Sequence, residues 1–211
     1  EKSNIKHGLI ALGGGEGNLL THLAIEQEIS SEYSLTSLQE GWNFSRLEPN
    51  VLQKNGCAKT TLKGLQITTD KQQISTHSFV QFNGPNGRLE QINKSAASGN
   101  SHSIFNGAIT VPQIAQKTEA SQLSRNLLLS QRARIDTKPE LEIIADDVRC
   151  THGATVSQLQ EEELFYLRSR GISLKAANSI LLEGYFKEIL NSLPLSSGRW
   201  FFLKDILSTN K

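Results

Sequence analysis

Methionine is absent from the 211 residues of this sequence, where ordinary usage would supply about four. Such an absence is what a segment of a longer chain would show. Cysteine is nearly absent as well. Two residues, Cys57 and Cys150, cannot build a disulfide scaffold, and a reduced setting is expected. Charge of one sign is missing too: 22 Lys and Arg stand against 21 Asp and Glu, a net of +1. That balance gives no electrostatic argument for nucleic acid or an anionic membrane as partner. No stretch approaches the roughly 20 apolar residues of a membrane span, and no basic start is followed by an apolar run, so no signal peptide is read here. The longest acidic run, residues 161–163, reads as a solvated helix face.

The first 47 residues carry no clear pattern. Their glycine cluster, Gly13, Gly14, Gly15 and Gly17, lacks the Gly-Lys-Ser/Thr ending of a phosphate loop and is read as a flexible loop. From about residue 48 to 156, short β-prone runs alternate with turn pairs. Runs such as 59–62, 78–82 and 141–144 approximate period-2 alternation. Between them, Asn55-Gly56, Asn83-Gly84, Asn86-Gly87 and Asn106-Gly107 favour turns with positive φ. A sandwich, a barrel and a stacked β-solenoid all satisfy this rhythm. The last third is helical. Ser157 with Gln160 forms a candidate capping box, an apolar stripe follows through Leu159, Leu164, Phe165 and Leu167, and Gly171 suits a helix C′ position. A second helix begins at Ser173. Its broad apolar face runs through Ala176, Ala177, Ile180, Leu181, Tyr185, Ile189 and Leu190, and Pro194 ends it. The residues after Leu195, with Trp200, Phe201 and Phe202, read as a loosely docked tail.

Cys150-Thr151-His152 is the most informative triplet. On a strand, positions i and i+2 share a face, so a thiol and an imidazole would stand side by side. That pair suits zinc, copper(I) or cluster iron, and also a nucleophile with its base. A half-buried cysteine beside a surface histidine is the plainer alternative. A closed metal site needs about four ligands, and Cys57 has no His or Cys at ligand spacing. If Cys150 and His152 bind metal, another subunit completes the site. His77 and His102 read as hydrogen-bonded structural residues. Asp146 and Asp147 read as turn residues, and Asp136 has no obvious carboxylate partner.

Residues 126–130 (NLLLS), 133–143 (ARIDTKPELEI), 147–155 (DVRCTHGAT) and 164–172 (LFYLRSRGI) resemble the SufB/SufD family of iron–sulfur cluster assembly scaffolds. Thr76-His77-Ser78 and residues 103–107 (SIFNG) match it as well. The resemblance spans about residues 75 to 190. Within the family, the Cys-x-His-Gly-Ala-Thr motif is similar to the SufD branch, whereas the SufB branch carries His-Glu-Ala there.

The resemblance implies a mainly β protein: a right-handed parallel β-helix over residues 1–156, then a C-terminal helical domain over 157–211. It implies a non-enzymatic scaffold of the SUF system, in the cytoplasm or the plastid stroma. Its β-helix would pair with SufB, and its C-terminal helices would dock the ATPase SufC; a homodimer of the isolated chain is also allowed. His152, with Cys150 in support, would hold a transient iron–sulfur cluster shared with SufB. Tyr166, Arg170, Gly171 and Tyr185 would meet the ATPase. Two other readings compete: a stand-alone zinc-binding module, and a carbohydrate-active β-helix enzyme, which would need paired carboxylates.

Overall fold

The computed structural model describes residues 2–194. Eleven strands of nine or ten residues precede two helices. The strands are β1 (Asn4–Leu12), β2 (Asn18–Gln27), β3 (Glu32–Glu40), β4 (Phe44–Gln53), β5 (Lys59–Thr68), β6 (Gln73–Phe82), β7 (Arg88–Ala97), β8 (His102–Val111), β9 (Glu119–Leu128), β10 (Arg134–Ile143) and β11 (Arg149–Ser157). The helices are α1 (Glu161–Ser169) and α2 (Leu174–Leu190).

Odd and even strands separate into two parallel sheets. One runs β1-β3-β5-β7-β9-β11 and the other β10-β8-β6-β4-β2. The chain therefore crosses from sheet to sheet at every turn, and each pair of strands closes one coil. This is a parallel β-solenoid of about five turns. The coils stack in strict register: Glu32, Lys59, Arg88, Glu119 and Arg149 succeed one another on adjacent strands. Among the described residues the solenoid is already present at β1, so residues 1–47, unpatterned in the sequence, supply three of its strands and the start of β4.

Alternation explains the interior. In β4 and β8 every second residue is buried, as a strand with one face on a core requires. Val51, Val80 and Ile109 stack inward from one sheet, and Leu89 and Ala120 from the other. The C-terminal halves of β5 and β7 are buried on both faces, because α2 covers the outer surface of their sheet. Phe186, Ile189 and Leu193 pack there on Leu38, Leu65, Ile67 and Ala96. Each fully buried large side chain contributes about 2 kcal/mol, so this second cluster fastens the helix firmly.

Turn chemistry is partly as expected. Gly56 and Asn86 have φ of 79° and 57°, and Asn83-Gly84 lies between strands. Asn106-Gly107, however, lies inside β8. Gly107 is small for packing reasons: a Cβ there would meet Gln122 Nε2 at 2.3 Å. The cluster from Gly13 to Gly17 links β1 to β2 against the Trp42 indole, which a Cβ on Gly13 would strike.

The helical region departs from expectation at its start. Ser157 closes β11, and α1 is preceded by Gln160, whose side chain makes no capping bond. Three glutamates in its first turn complement the positive end of the helix dipole instead. α2 begins as expected, with Ser173 Oγ accepting from the Ala176 amide at 3.3 Å. Its buried residues are Ala177, Phe186 and Ile189. Ile180 is left exposed, and Pro194 lies beyond the helix against Gly8. The expected tail after Leu195 lies outside the described residues.

Candidate functional site

The solenoid ends on β10 and β11. β11 pairs only with β9, and β10 only with β8, so each leaves one edge of peptide groups without a neighbouring strand among the described residues. Ile143, Ile144 and Val156 are exposed apolar residues at this end. An open edge of this kind is a template for another strand.

Cys150 and His152 stand in register with Ala120 and Gln122, both buried and inward-facing. They therefore occupy the inward face of the last strand, roughly 6.6 Å apart along it. Cys150 is half-buried and packs on the interior cluster. Burial pushes its thiol above the usual range, and a backbone hydrogen bond with Ala120 opposes this only in part. His152 is exposed, because no further coil covers it. Among the described residues, no group of three or more His, Cys, Asp or Glu side chains is placed to hold a metal. One imidazole and one protonated thiol thus make a two-ligand donor set facing the open end. Cys57 lies in an exposed turn with φ of 53°, on another strand connection.

Below His152 the interior is polar. Gln122 Nε2 donates to Gln91 Oε1 at 2.9 Å, and Gln91 Nε2 donates to the Ser78 hydroxyl at 2.6 Å. A parallel network ties Gln39 and Gln66 to Thr76, and Asn126 to Ser124. These buried amides were not singled out in the sequence. Gln91 and Gln122 become recognisable only once the coil register is known.

The carboxylates of Asp136 and Asp146 are engaged structurally. Asp136 bonds His102 Nε2 at 2.8 Å and forms an ion pair with Arg134 at 2.8 Å. Partial burial raises its pKa, but the bonds from Arg134 and His102 hold it below the ordinary value. Asp146 accepts from Gln113 at 3.0 Å, and the Asp147 amide donates to Gln116. His77 lies half-buried on β6, on the outer face of the β10-β2 sheet. Burial, and then the Arg46 charge, lower its pKa.

The helical hairpin divides the four expected partner residues. Tyr166 is exposed, with the Arg170 guanidinium 5.3 Å from its ring. Gly171, with φ of 84°, makes the link to α2. Tyr185 faces the solenoid: its hydroxyl donates to the Arg125 carbonyl at 2.5 Å, and the Lys94 ammonium sits 4.2 Å over its ring. Phe165, with 74% exposure, is the most open large apolar side chain of α1.

Comparison with known proteins adds a family. Residues 1–185 match the SUF system FeS cluster assembly SufBD core domain. The chain is 40% identical over 197 residues to the iron–sulfur cluster assembly SufBD family protein slr0076 of Synechocystis, covering 93% of this chain and 44% of that protein. It is 36% identical over 171 residues to protein ABCI7, chloroplastic, of Arabidopsis thaliana, covering 81% and 36%. Against iron–sulfur cluster assembly protein SufD of Escherichia coli it is 37% identical over 142 residues, covering 67% and 34%. The chain thus spans less than half the length of these relatives.

Proposed function

Since this chain belongs to the SufB/SufD family of SUF-system iron–sulfur cluster assembly proteins, we propose that it is a SufD-type, non-enzymatic scaffold segment. It supplies half of a cluster-holding site to a SufB-type partner. The observation that carries this reading is the placement of His152 and Cys150 on the inward face of the terminal strand, at an open edge, with no third ligand among the described residues.

The chemistry suits a cargo that is handed on. Imidazole replaces thiolate on cluster iron in mixed Cys/His clusters. His152, exposed and uncovered, is the primary ligand. Cys150, whose thiol is held protonated by burial, is the reserve ligand and binds only where iron displaces its proton. Strand addition along β11 brings the partner's ligands to the same place, whereas Pro139 makes β10 the poorer edge for pairing. The hairpin of α1 and α2 offers Phe165 and Tyr166 to a SufC-type ATPase. A cytoplasmic or stromal setting fits such a complex. Among the described residues no helix is long and apolar enough to cross a membrane.

The test uses full-length protein co-expressed with candidate paralogue and ATPase subunits. The three should co-purify, and the complex should build a cluster where the isolated protein builds little or none. His152→Ala should sharply reduce assembly without unfolding the solenoid. Wild-type assembly by His152→Ala would overturn the site. A stable cluster, or stoichiometric zinc, in the isolated protein would overturn the shared-site reading.

A further inference from the structure

A groove runs along one side of the helical hairpin and on to the solenoid. Its outer part lies between Tyr166 and Leu167 of α1 and Ile180 and Leu181 of α2. Its inner part is floored by Lys94, Arg125 and Leu127 of the sheet and walled by the linker of residues 157–160. Gln160, Glu163 and Leu181 line both parts, so the groove is continuous. On α2 the inner part is lined by Leu181, Gly184, Tyr185 and Glu188, the i, i+3, i+4, i+7 spacing of one helix face. The residues that fasten this end of the hairpin to the sheet, Phe186, Ile189 and Leu193, lie on another face.

Gly184 stands inside the 17-residue α2, where glycine is the poorest helix former after proline. No neighbour requires it. A Cβ there would meet nothing within 4 Å, and the residue is exposed. Its missing side chain opens the groove one turn along from Leu181. Arg125 is the second unfinished element. Its side chain is 49% exposed and lies 3.7 Å from Glu188 Oε2, beyond hydrogen-bond length. That carboxylate is already bonded by the buried Lys94. The guanidinium makes no hydrogen bond among the described residues, and its planar fork matches a carboxylate. Across the lining, Lys94 and Arg125 are balanced by Glu163 and Glu188, so no net field gathers a free anion. A carboxylate reaches Arg125 on a chain that Leu127, Leu159 and Leu181 also hold.

We propose that one segment of the ATPase partner seats in this groove, laying an apolar side chain over Gly184 and pairing a carboxylate with Arg125. This rests on the reading of the hairpin as the ATPase dock. The groove is continuous with the exposed Tyr166 and Ile180, so the same partner covers both parts. A helix face with a central gap and a charged end selects a segment by shape and by charge together.

The test measures the affinity of full-length protein for the ATPase subunit by calorimetry. Gly184→Leu fills the groove at a helix position that favours leucine over glycine. Its Tm should not fall, while affinity should drop on the order of 10-fold or more. Arg125→Gln should also weaken binding, and the salt dependence of the wild-type affinity should flatten in this variant. Wild-type affinity in folded Gly184→Leu overturns the inference, and so does an unaltered salt dependence in Arg125→Gln. The second variant decides the matter where Gly184→Leu does not fold, because Arg125 accepts the Tyr185 bond through its backbone carbonyl. Loss of the paralogous subunit in Gly184→Leu, with ATPase affinity unchanged, would give the groove to a different partner and overturn the inference as well. The two proposals fail separately. If Tyr166→Asp abolishes ATPase binding while Gly184→Leu and Arg125→Gln leave it intact, only the groove is wrong. If the wild type itself binds no ATPase, the docking reading has failed.

Discussion

The Lys94 ammonium lies 2.5 Å from Glu188 Oε2 and 3.0 Å from the Tyr185 carbonyl, on a side chain only 3% exposed. A cation from β7 is thus buried beneath α2, and its counter-charge comes from the helix. Hydrogen bonds to charged groups contribute about 1.5–3 kcal/mol. Lys94→Met keeps the aliphatic stem and loses the bonds. It should cost about 2 kcal/mol, a fall of roughly 4–8 °C in Tm for a chain of this size. A cycle with Glu188→Gln should show coupling above 0.5 kcal/mol; strict additivity would mean the pair contributes nothing specific.

The same contact gives a pH dependence. The bond from Lys94 holds the Glu188 carboxyl below its usual 4.5, against the opposing effect of burial. A depressed carboxylate pKa adds stability that is fully present above the unfolded value and is lost as pH falls through the folded one. Attachment of α2 should therefore weaken below about pH 4.5. Amide hydrogen exchange in α2 should accelerate there, and Lys94→Met should flatten that acceleration.

Gly107 tests the packing of the interior. Gly107→Ala should destabilise the protein by about 1–3 kcal/mol, the usual cost of overpacking, because its Cβ meets both Gln122 and Phe105. Gly14→Ala, where nothing lies within 4 Å, should change Tm little. Chemical denaturation of the two variants compares them directly.

The difference between these glycines bears on what the sequence could reveal. Asn106-Gly107 has the form of a turn signal, and the structure places it in mid-strand, because a glutamine from the opposite sheet needs the space. Period-2 alternation in 78–82 was legible, whereas β1 and β2 were not. At that end of the solenoid no coil of the described residues lies beyond them, and β2 alternates between exposed and half-buried until the buried Gln27 at its end. The Cys150/His152 pair was legible because a strand fixes the i, i+2 relation locally. Gln122 and Lys94 were not, because their roles depend on contacts across coils and with a helix 94 positions further on. Ser157 failed as a cap for the related reason that strand pairing with Leu127 outweighs a local capping preference.

Cys150 should be a slow thiol. Burial raises its pKa above the ordinary 9.0, and the thiolate is the reactive form. In a Cys57→Ser variant, modification by iodoacetamide at neutral pH should be slow and should still be rising above pH 9. Fast modification at pH 7 would show an accessible, activated thiolate and would make Cys150 the leading ligand.

The hairpin separates docking from attachment through its two tyrosines. Tyr166 is 58% exposed and lies beside Phe165 at 74%; among the described residues it bonds only within α1 and to the neighbouring Arg170. A charged replacement there removes nothing from either core. Tyr185 donates to backbone carbonyls of Arg125 and Ser95 and lies under Lys94, and burial pushes its phenol above the usual range. Tyr166→Asp should therefore abolish co-purification of a SufC-type ATPase with Tm unchanged to within a degree or two. Tyr185→Asp should also lose the ATPase, but with a stability cost of about 3 kcal/mol, because it buries a charge where a hydroxyl was satisfied. Tyr185→Phe should cost about 1 kcal/mol, the net value of a hydrogen bond, and should retain the ATPase. If Tyr166→Asp and Phe165→Asp both leave ATPase binding intact, the exposed face of α1 is not the docking surface. If Tyr185→Phe loses the ATPase at wild-type stability, the phenol itself contacts the partner, and the hairpin must swing away from the solenoid to present it.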